Sequence, residues 1–203
     1  MTDNVIIIPT RLEATRLPNK PLRKINNKEM ILHVFEAAKN ANVGEVIVTS
    51  PNKKISDLIT SANGICVETN TDHETGTDRI FEVFDKFLKR KPEIIINLQG
   101  DMPNIEPQAI SNLASYMNKG KCDIGTLASD FNSRNEMDDP NVVKVAVKEK
   151  FSKNTFLKAC DFFRANTNST YNLYHHIGIY AFTNEALLRY VSLKRSKLEL
   201  ERK

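Results

Sequence analysis

Val5-Ile6-Ile7-Ile8, followed at once by Pro9-Thr10-Arg11-Leu12-Glu13-Ala14-Thr15-Arg16-Leu17-Pro18-Asn19-Lys20-Pro21-Leu22, decides how the rest of the sequence is read. Four consecutive branched apolar residues have no polar face. A strand wetted on one side alternates, so this run predicts a strand buried on both sides, as in a parallel sheet. The following segments repeat the theme. Ile31, Val34, Phe35 and Ala38 recur at helical spacing, and residues 46–49 read as a second strand. Ile55, Leu58, Ile59 and Ala62 mark another helix, which Gly64 is placed to end. Residues 65–68 form a third strand; Ile80, Val83, Phe84, Phe87 and Leu88 stripe a longer helix; residues 94–98 form a fourth strand. A helix marked by Ile110, Leu113, Ala114 and Met117 and a strand over 123–129 complete the series. Repeated strand–helix–strand units predict an α/β fold, a mixed, mostly parallel sheet flanked by helices.

Beyond residue 140 the rhythm changes. Val143, Val145 and Val147 alternate with Lys144, Ala146 and Lys148, the period-two pattern of a half-exposed strand, antiparallel or at an edge. Residues 155–163 fit strand or helix. Residues 177–182 read as a strand, 185–193 begin a helix, 132–141 are a polar loop, and the charged residues 194–203 fray. There is no internal repeat and no linker, so the chain reads as one domain over residues 1–203, enough to enclose a large core.

Composition narrows the function. The chain is 40% hydrophobic and 27% charged, ordinary for a globular protein, and no uncharged apolar run approaches the roughly 18 residues of a membrane span. Met1-Thr2-Asp3-Asn4 carries no basic region, so the first apolar run reads as a strand and not as a signal peptide. A net charge of +4 is too small and dispersed to argue for nucleic acid, though it suits anionic substrates. Cys66, Cys122 and Cys160 lie far apart, which implies reduced thiols, a cytoplasmic address and three small buried core residues.

In an open α/β sheet, ligands bind beyond the carboxyl ends of the strands. The loop after the first strand carries Arg11, Arg16 and Lys20. Such a cluster either holds an anion as large as a triphosphate, with the Pro9-Thr10 backbone nearby, or is a solvated basic surface. It is not a Walker loop, and no G-x-G-x-x-G occurs. After the fourth strand comes Gln99-Gly100-Asp101: a carboxylate placed to hold Mg²⁺ against phosphates, with Gly100 allowing close backbone approach, or a plain turn. Asp72-His73-Glu74-Thr75-Gly76-Thr77-Asp78-Arg79 precedes a helix and either reads a base edge or caps the helix through Thr77 and Asp78. His175 and His176 are adjacent on a strand and face opposite ways, against a shared zinc; His176 either faces a ligand or is structural. Arg164 either meets a carboxylate or forms a surface pair. No protein nucleophile is in evidence, as expected where one substrate attacks another directly.

Taken together, the segments VIIIPTRLEATRLPNKPL, HETGTDRI, NLQGDMPNIEP and HHIGIYAF resemble the CMP-Kdo synthetases, the 3-deoxy-manno-octulosonate (Kdo) cytidylyltransferases, in order and over nearly the whole chain. The resemblance implies a Rossmann-like nucleotide-diphospho-sugar transferase fold in a cytoplasmic homodimer. It implies transfer of CMP from CTP to Kdo with Mg²⁺, giving CMP-Kdo and pyrophosphate for lipopolysaccharide biosynthesis. By position it makes Arg11 and Lys20 triphosphate ligands supported by Arg16, and Asp101 the magnesium ligand. Pro9, Thr10, Thr75, Gly76 and Arg79 fall in the nucleotide pocket; Gln99, Arg164, His176 and Tyr180 line the sugar site, Arg164 opposite the sugar carboxylate. Two departures are visible: Thr49-Ser50-Pro51-Asn52 stands where the family has A-T-D-D, and Asp161-Phe162-Phe163-Arg164 lacks the family's following Ile-Pro. The sequence also stops at Lys203, before the family's E-Q-L-R helix and V-D-T segment with its second metal-binding aspartate, so truncation at the C-terminus is expected. Two alternatives accompany this reading: a cytidylyltransferase for another acidic sugar of sialic-acid type, and a nucleotide-binding protein without catalysis.

Overall fold

The first strand, β1 (Asn4–Pro9), is buried along its length and flanked on both sides by parallel neighbours, as its apolar run predicts. The computed structural model describes residues 3–13, 17–152, 155–164, 170–197 and 201. It divides into two compact units, Met1–Gly125 with Ile179–Ser192, and Thr126–Gly178 with Leu193–Lys203.

In the first unit β1 is followed by a short hairpin of β2 (Lys24–Ile25) and β3 (Lys28–Glu29), then α1 (Met30–Asn40), β4 (Glu45–Ser50), α2 (Lys53–Ser61) and β5 (Ile65–Glu68). Next come α3 (Gly76–Glu82), prolonged by a π-helical turn over Val83–Phe87, then β6 (Ile94–Leu98) and α4 (Pro107–Met117). The strands lie in the order β5-β4-β1-β6, all parallel. Beyond β6, residues 179–183 of β10 (Asn172–Thr183) run antiparallel, and α6 (Asn184–Ser192) follows. Helices cover both faces. Val5, Ile7, Ile47 and Ile95 pack with Ile80, Val83 and Phe84 and with Leu187 of α6. Strand alternation turns Ile6, Ile8 and Ile96, each fully buried, to the other face, where α1 and α4 pack together.

The end of α2 differs from expectation. Asn63 (φ 57°), not Gly64, takes the left-handed conformation. The N–H groups of Asn63 and Gly64 donate to the carbonyls of Thr60 and Ile59, both at 2.9 Å, which closes the helix in a Schellman arrangement. Gly64 is needed for space: a Cβ there would stand 2.5 Å from Phe35 Cζ and 2.7 Å from Ile59 Cγ2.

The second unit holds most of β7 (Ile124–Ser129), α5 (Arg134–Asp138), β8 (Lys144–Val147), β9 (Ala159–Phe163) and residues 172–178 of β10. Strand β8 pairs antiparallel with β9 on one side and β10 on the other. The expected antiparallel strand is therefore present, but it is neither at an edge nor half-exposed: every residue of β8 is buried, Lys144 fully. The ambiguous stretch 155–163 supplies strand β9, and the polar loop contains the short helix α5, capped by the Ser133 hydroxyl, which accepts from the Glu136 N–H at 3.2 Å. The cysteine expectation fails in part. All three thiols are free, yet Cys160 is exposed and Cys66 and Cys122 only half-buried: Cys160 and Cys66 lie on the terminal strands β9 and β5, and Cys122 in the connection between α4 and β7. Among the described residues no helix is long and apolar enough to cross a membrane.

Candidate active site

Strands β1 and β6 are parallel neighbours with Ile7 opposite Asn97, so the segments leaving their carboxyl ends emerge side by side. The segment after β1 is held from below. Thr10 N–H donates to the Thr49 carbonyl at 2.9 Å, and Leu12 N–H to Asn52 Oδ1 at 3.0 Å. Asn52 Nδ2 in turn donates to Glu13 Oε1 at 2.9 Å, and this bond is the main reason that the Glu13 carboxyl lies below the usual carboxylate range. After residues 14–16, Asn19 turns the chain with φ 56° and donates its N–H to the Leu12 carbonyl at 3.2 Å, and the single turn Lys20–Leu22 follows. Arg16 lies outside the described residues.

The segment after β6 packs onto this loop at Gly100. A Cβ there would meet Pro9 O and Thr10 Cβ at 3.0 Å and Ile31 Cδ1 at 3.2 Å, so a side chain would crowd the approach that glycine leaves open. Asp101 thereby faces Lys20, whose Nζ donates to Asp101 Oδ2 at 2.8 Å. Gln99 is steadied from within the sheet: its Nε2 donates to Asn97 Oδ1 at 3.2 Å, and the fully buried Asn97 donates to Thr77 Oγ1 at 3.3 Å.

The third wall is the start of α3. Its cap is Thr75 and not Thr77: Thr75 Oγ1 accepts from Asp78 N–H at 3.2 Å while Asp78 Oδ2 accepts from Thr75 N–H at 3.0 Å, a reciprocal capping box. The expectation was off by two residues because Thr77 is already inside the helix, where Asn97 occupies its hydroxyl. Arg79, 3% exposed, donates to Thr69 Oγ1 at 2.8 Å and the Asn70 carbonyl at 2.7 Å. Burial and then the nearby Arg11 charge lower its pKa. One turn on, Glu82 accepts from His73 Nε2 at 2.6 Å, Asn70 N–H at 3.0 Å and Lys86 Nζ at 3.1 Å. Burial alone would raise its pKa; these donors outweigh burial and hold it at about 2. Arg79 and Glu82 together fix residues 69–73.

These three segments enclose a cleft of about 250 Å³ lined by Pro9, Thr10, Arg11, Lys20, Thr75, Gly76, Arg79, Gln99 and Asp101, all singled out from sequence, and by His73 and Glu74. Tyr180 lies opposite Asn97 on β10, packed against the first unit's core, and is not part of this lining among the described residues. Burial raises its phenol pKa.

Arg164 and His176 belong to the second unit. Arg164 Nη1 donates to the Asn141 carbonyl at 3.2 Å. His176, 9% exposed, hydrogen-bonds Thr126 Oγ1 at 2.9 Å and meets Phe162 edge-on; burial, then the His175 charge, lowers its pKa to about 4. His175 turns the other way, onto Glu136 at 2.7 Å. Sequence reasoning missed Asn52 and Asn97. The signal for Asn97 was legible, a lone amide inside an apolar strand, which must find partners. Asn52 gave none: it precedes α2 like a cap, yet its side chain makes no cap bond and serves the loop instead.

For a divalent cation, Asp101 offers a hard carboxylate, 54% exposed, at the cleft. No cluster of three His, Cys, Asp or Glu residues is present among the described residues. That donor set fits Mg²⁺, which keeps waters and binds through one or two carboxylates plus substrate phosphates.

Comparison with known proteins agrees with this architecture. A 3-deoxy-manno-octulosonate cytidylyltransferase of Bartonella henselae is 40% identical over 98% of this chain and 82% of its own length. Its counterpart in Methylorubrum extorquens is 38% identical over the whole chain and 82% of the relative. Among solved structures, a CMP:2-keto-3-deoxy-manno-octonic acid synthetase complexed with CTP superposes with a TM-score of 0.86 at 35% identity, over 99% of this chain and 82% of that one. A 4-diphosphocytidyl-2C-methyl-D-erythritol synthase from Anaerococcus prevotii, 13% identical with a TM-score of 0.60, shares the fold alone. The sequence matches the cytidylyltransferase family profile over residues 5–203, and the chain belongs to that family.

Proposed function

We propose that this protein transfers CMP from CTP to 3-deoxy-manno-octulosonate, releasing pyrophosphate. The observation that carries the reading is the convergence of Arg11, Lys20 and Asp101 on one cleft, with Lys20 and Asp101 at 2.8 Å. Likeness to relatives named for this reaction supports the choice of substrates.

In this reading Pro9, Thr10, Thr75, Gly76 and Arg79 form the nucleotide wall, Arg79 by holding residues 69–71 rather than by reaching outward. Arg11 and Lys20, with Arg16, bind the triphosphate and offset the negative charge that grows on the departing pyrophosphate. Asp101 holds Mg²⁺, which when bound neutralises phosphate oxygens. Gln99, Arg164, His176 and Tyr180 take the sugar acid, Arg164 pairing with its carboxylate. The sugar's anomeric hydroxyl attacks the α-phosphorus, the bond to the β-phosphate oxygen breaks, and the hydroxyl proton passes to solvent. The chain's part is to hold two anions together in line, at a site where cations remove their repulsion. The same reading makes the protein a cytoplasmic homodimer whose product serves lipopolysaccharide biosynthesis.

The test is pyrophosphate release with CTP, Kdo and Mg²⁺, each omitted in turn. Turnover only with all three is expected, and Kdo should outcompete sialic acid and other 2-keto sugar acids. No turnover with the complete mixture, or preference for another acid, would overturn the assignment.

A further inference from the structure

Lys144 is fully buried and is the first residue of strand β8. A long cation in such a place is costly unless its donors are matched. Here they are matched by backbone: Nζ donates to the carbonyls of Asp139 at 2.5 Å, Val142 at 2.9 Å and Arg164 at 2.7 Å. The first two lie on the turn that leads into β8; the third lies just past the end of β9. Arg164 sends its own guanidinium back to that turn, through the Asn141 carbonyl at 3.2 Å. Both ends of Arg164, its carbonyl and its Nη1, are thus tied to residues 139–142, and Lys144 is the bolt. A valine or isoleucine would satisfy the burial and the strand preference of this position. What only an ammonium supplies is a three-way clamp between two segments otherwise joined by strand pairing.

We infer that Lys144 is a positioning residue for sugar binding: it fixes the backbone of Arg164 so that the guanidinium is aimed before the sugar acid arrives. This rests on the reading that Arg164 meets the sugar carboxylate. A preorganised arginine fork loses less freedom on binding a carboxylate than a loose one, so the effect should appear in sugar affinity and not in nucleotide affinity.

The experiment compares Lys144→Met, Arg164→Ala and the double variant in steady-state kinetics with each substrate varied. Lys144→Met should raise KM for Kdo about tenfold to a hundredfold while KM for CTP stays within about twofold. Adding it to Arg164→Ala should change nothing further, because the residue acts through Arg164. Arg164→Ala without effect on KM for Kdo would sink the reading on which this rests. An effect of Arg164→Ala alongside an unchanged KM in Lys144→Met, or independent effects in the double variant, would overturn the inference while leaving that reading intact. A second measurement needs no substitution. In the unaltered protein the Arg164 Nε–Hε order parameter should approach backbone rigidity, well above that of Arg134, whose side chain is 92% exposed. Equal mobility of the two would also overturn it.

Discussion

Lys20 and Asp101, 81 residues apart in the chain, form an ion pair of 2.8 Å in the lining of the cleft. Neither segment is near the other in sequence. They meet because β1 and β6 are adjacent and parallel, so that two strand ends open on one side of the sheet. The pair neutralises one charge of each sign.

Asp101→Ala should lower turnover by about a hundredfold or more with little loss of stability, since one electrostatic contact at a reacting phosphate is worth about that much. The side chain is 54% exposed and its partner 36%, and an exposed pair of this kind contributes at most about 1 kcal/mol. Pyrophosphate release and thermal melting, measured side by side, check both halves. Near-normal turnover would remove Asp101 from the reaction.

Asn52→Ala should raise KM for CTP several-fold while leaving the fold intact. The amide bridges the Leu12 N–H and Glu13, and loss of one such bridge typically costs about 1 kcal/mol. Nucleotide binding followed by calorimetry gives the check. An unchanged affinity would mean that the loop after β1 holds its shape without Asn52.

His176 gives stability a dependence on acid. Its pKa is about 4 in the folded protein and 6.5 in an unperturbed histidine. Between those values the unfolded chain binds the extra proton, so this contribution is complete above about pH 6.5 and is lost as pH falls towards 4. The loss is about 3 kcal/mol, at about 1.4 kcal/mol per pH unit. Glu82, at about 2 in the folded protein against an ordinary 4.5, adds its own loss only below about pH 4.5, so the fall between pH 7.5 and 5.5 is the part assigned to His176. Denaturant titrations at pH 7.5, 5.5 and 4 should show the fall, and His176→Gln should flatten it. An equal slope in the variant would assign the dependence elsewhere.

Gly64→Ala should destabilise the protein by about 1–3 kcal/mol, the usual range for an overpacked core. The added methyl would press on Phe35 of α1 and Ile59 of α2. Asn63→Gly, where the left-handed φ resides, should be tolerated or slightly stabilising. The two midpoints in urea separate crowding from backbone conformation.

Local chemistry was legible where it depends on neighbours in sequence. The run Val5–Ile8 could only be a strand covered on both faces, and residues 94–98 likewise; helix stripes such as Ile31, Val34, Phe35 and Ala38 named their buried sides correctly. The polar segments after β1, before α3 and after β6 stood out as clusters of charge and small residues beside strands, each with a plainer structural alternative; their joining in one cleft is tertiary. What the sequence could not state is which partner each polar group would choose. Lys144 obeys the alternation of an exposed strand, yet it is buried, because carbonyls from residues 139, 142 and 164 converge on it only after β8 is enclosed between β9 and β10. Thr77 looked like a cap until buried Asn97 claimed its hydroxyl and Thr75 took the role. Arg79, expected in the nucleotide pocket, does line the cleft, but its hydrogen bonds brace residues 69–71, which its position in the sequence did not announce. Periodicity reports burial averaged along one element; hydrogen-bond satisfaction is decided between elements, and so belongs to the tertiary structure alone.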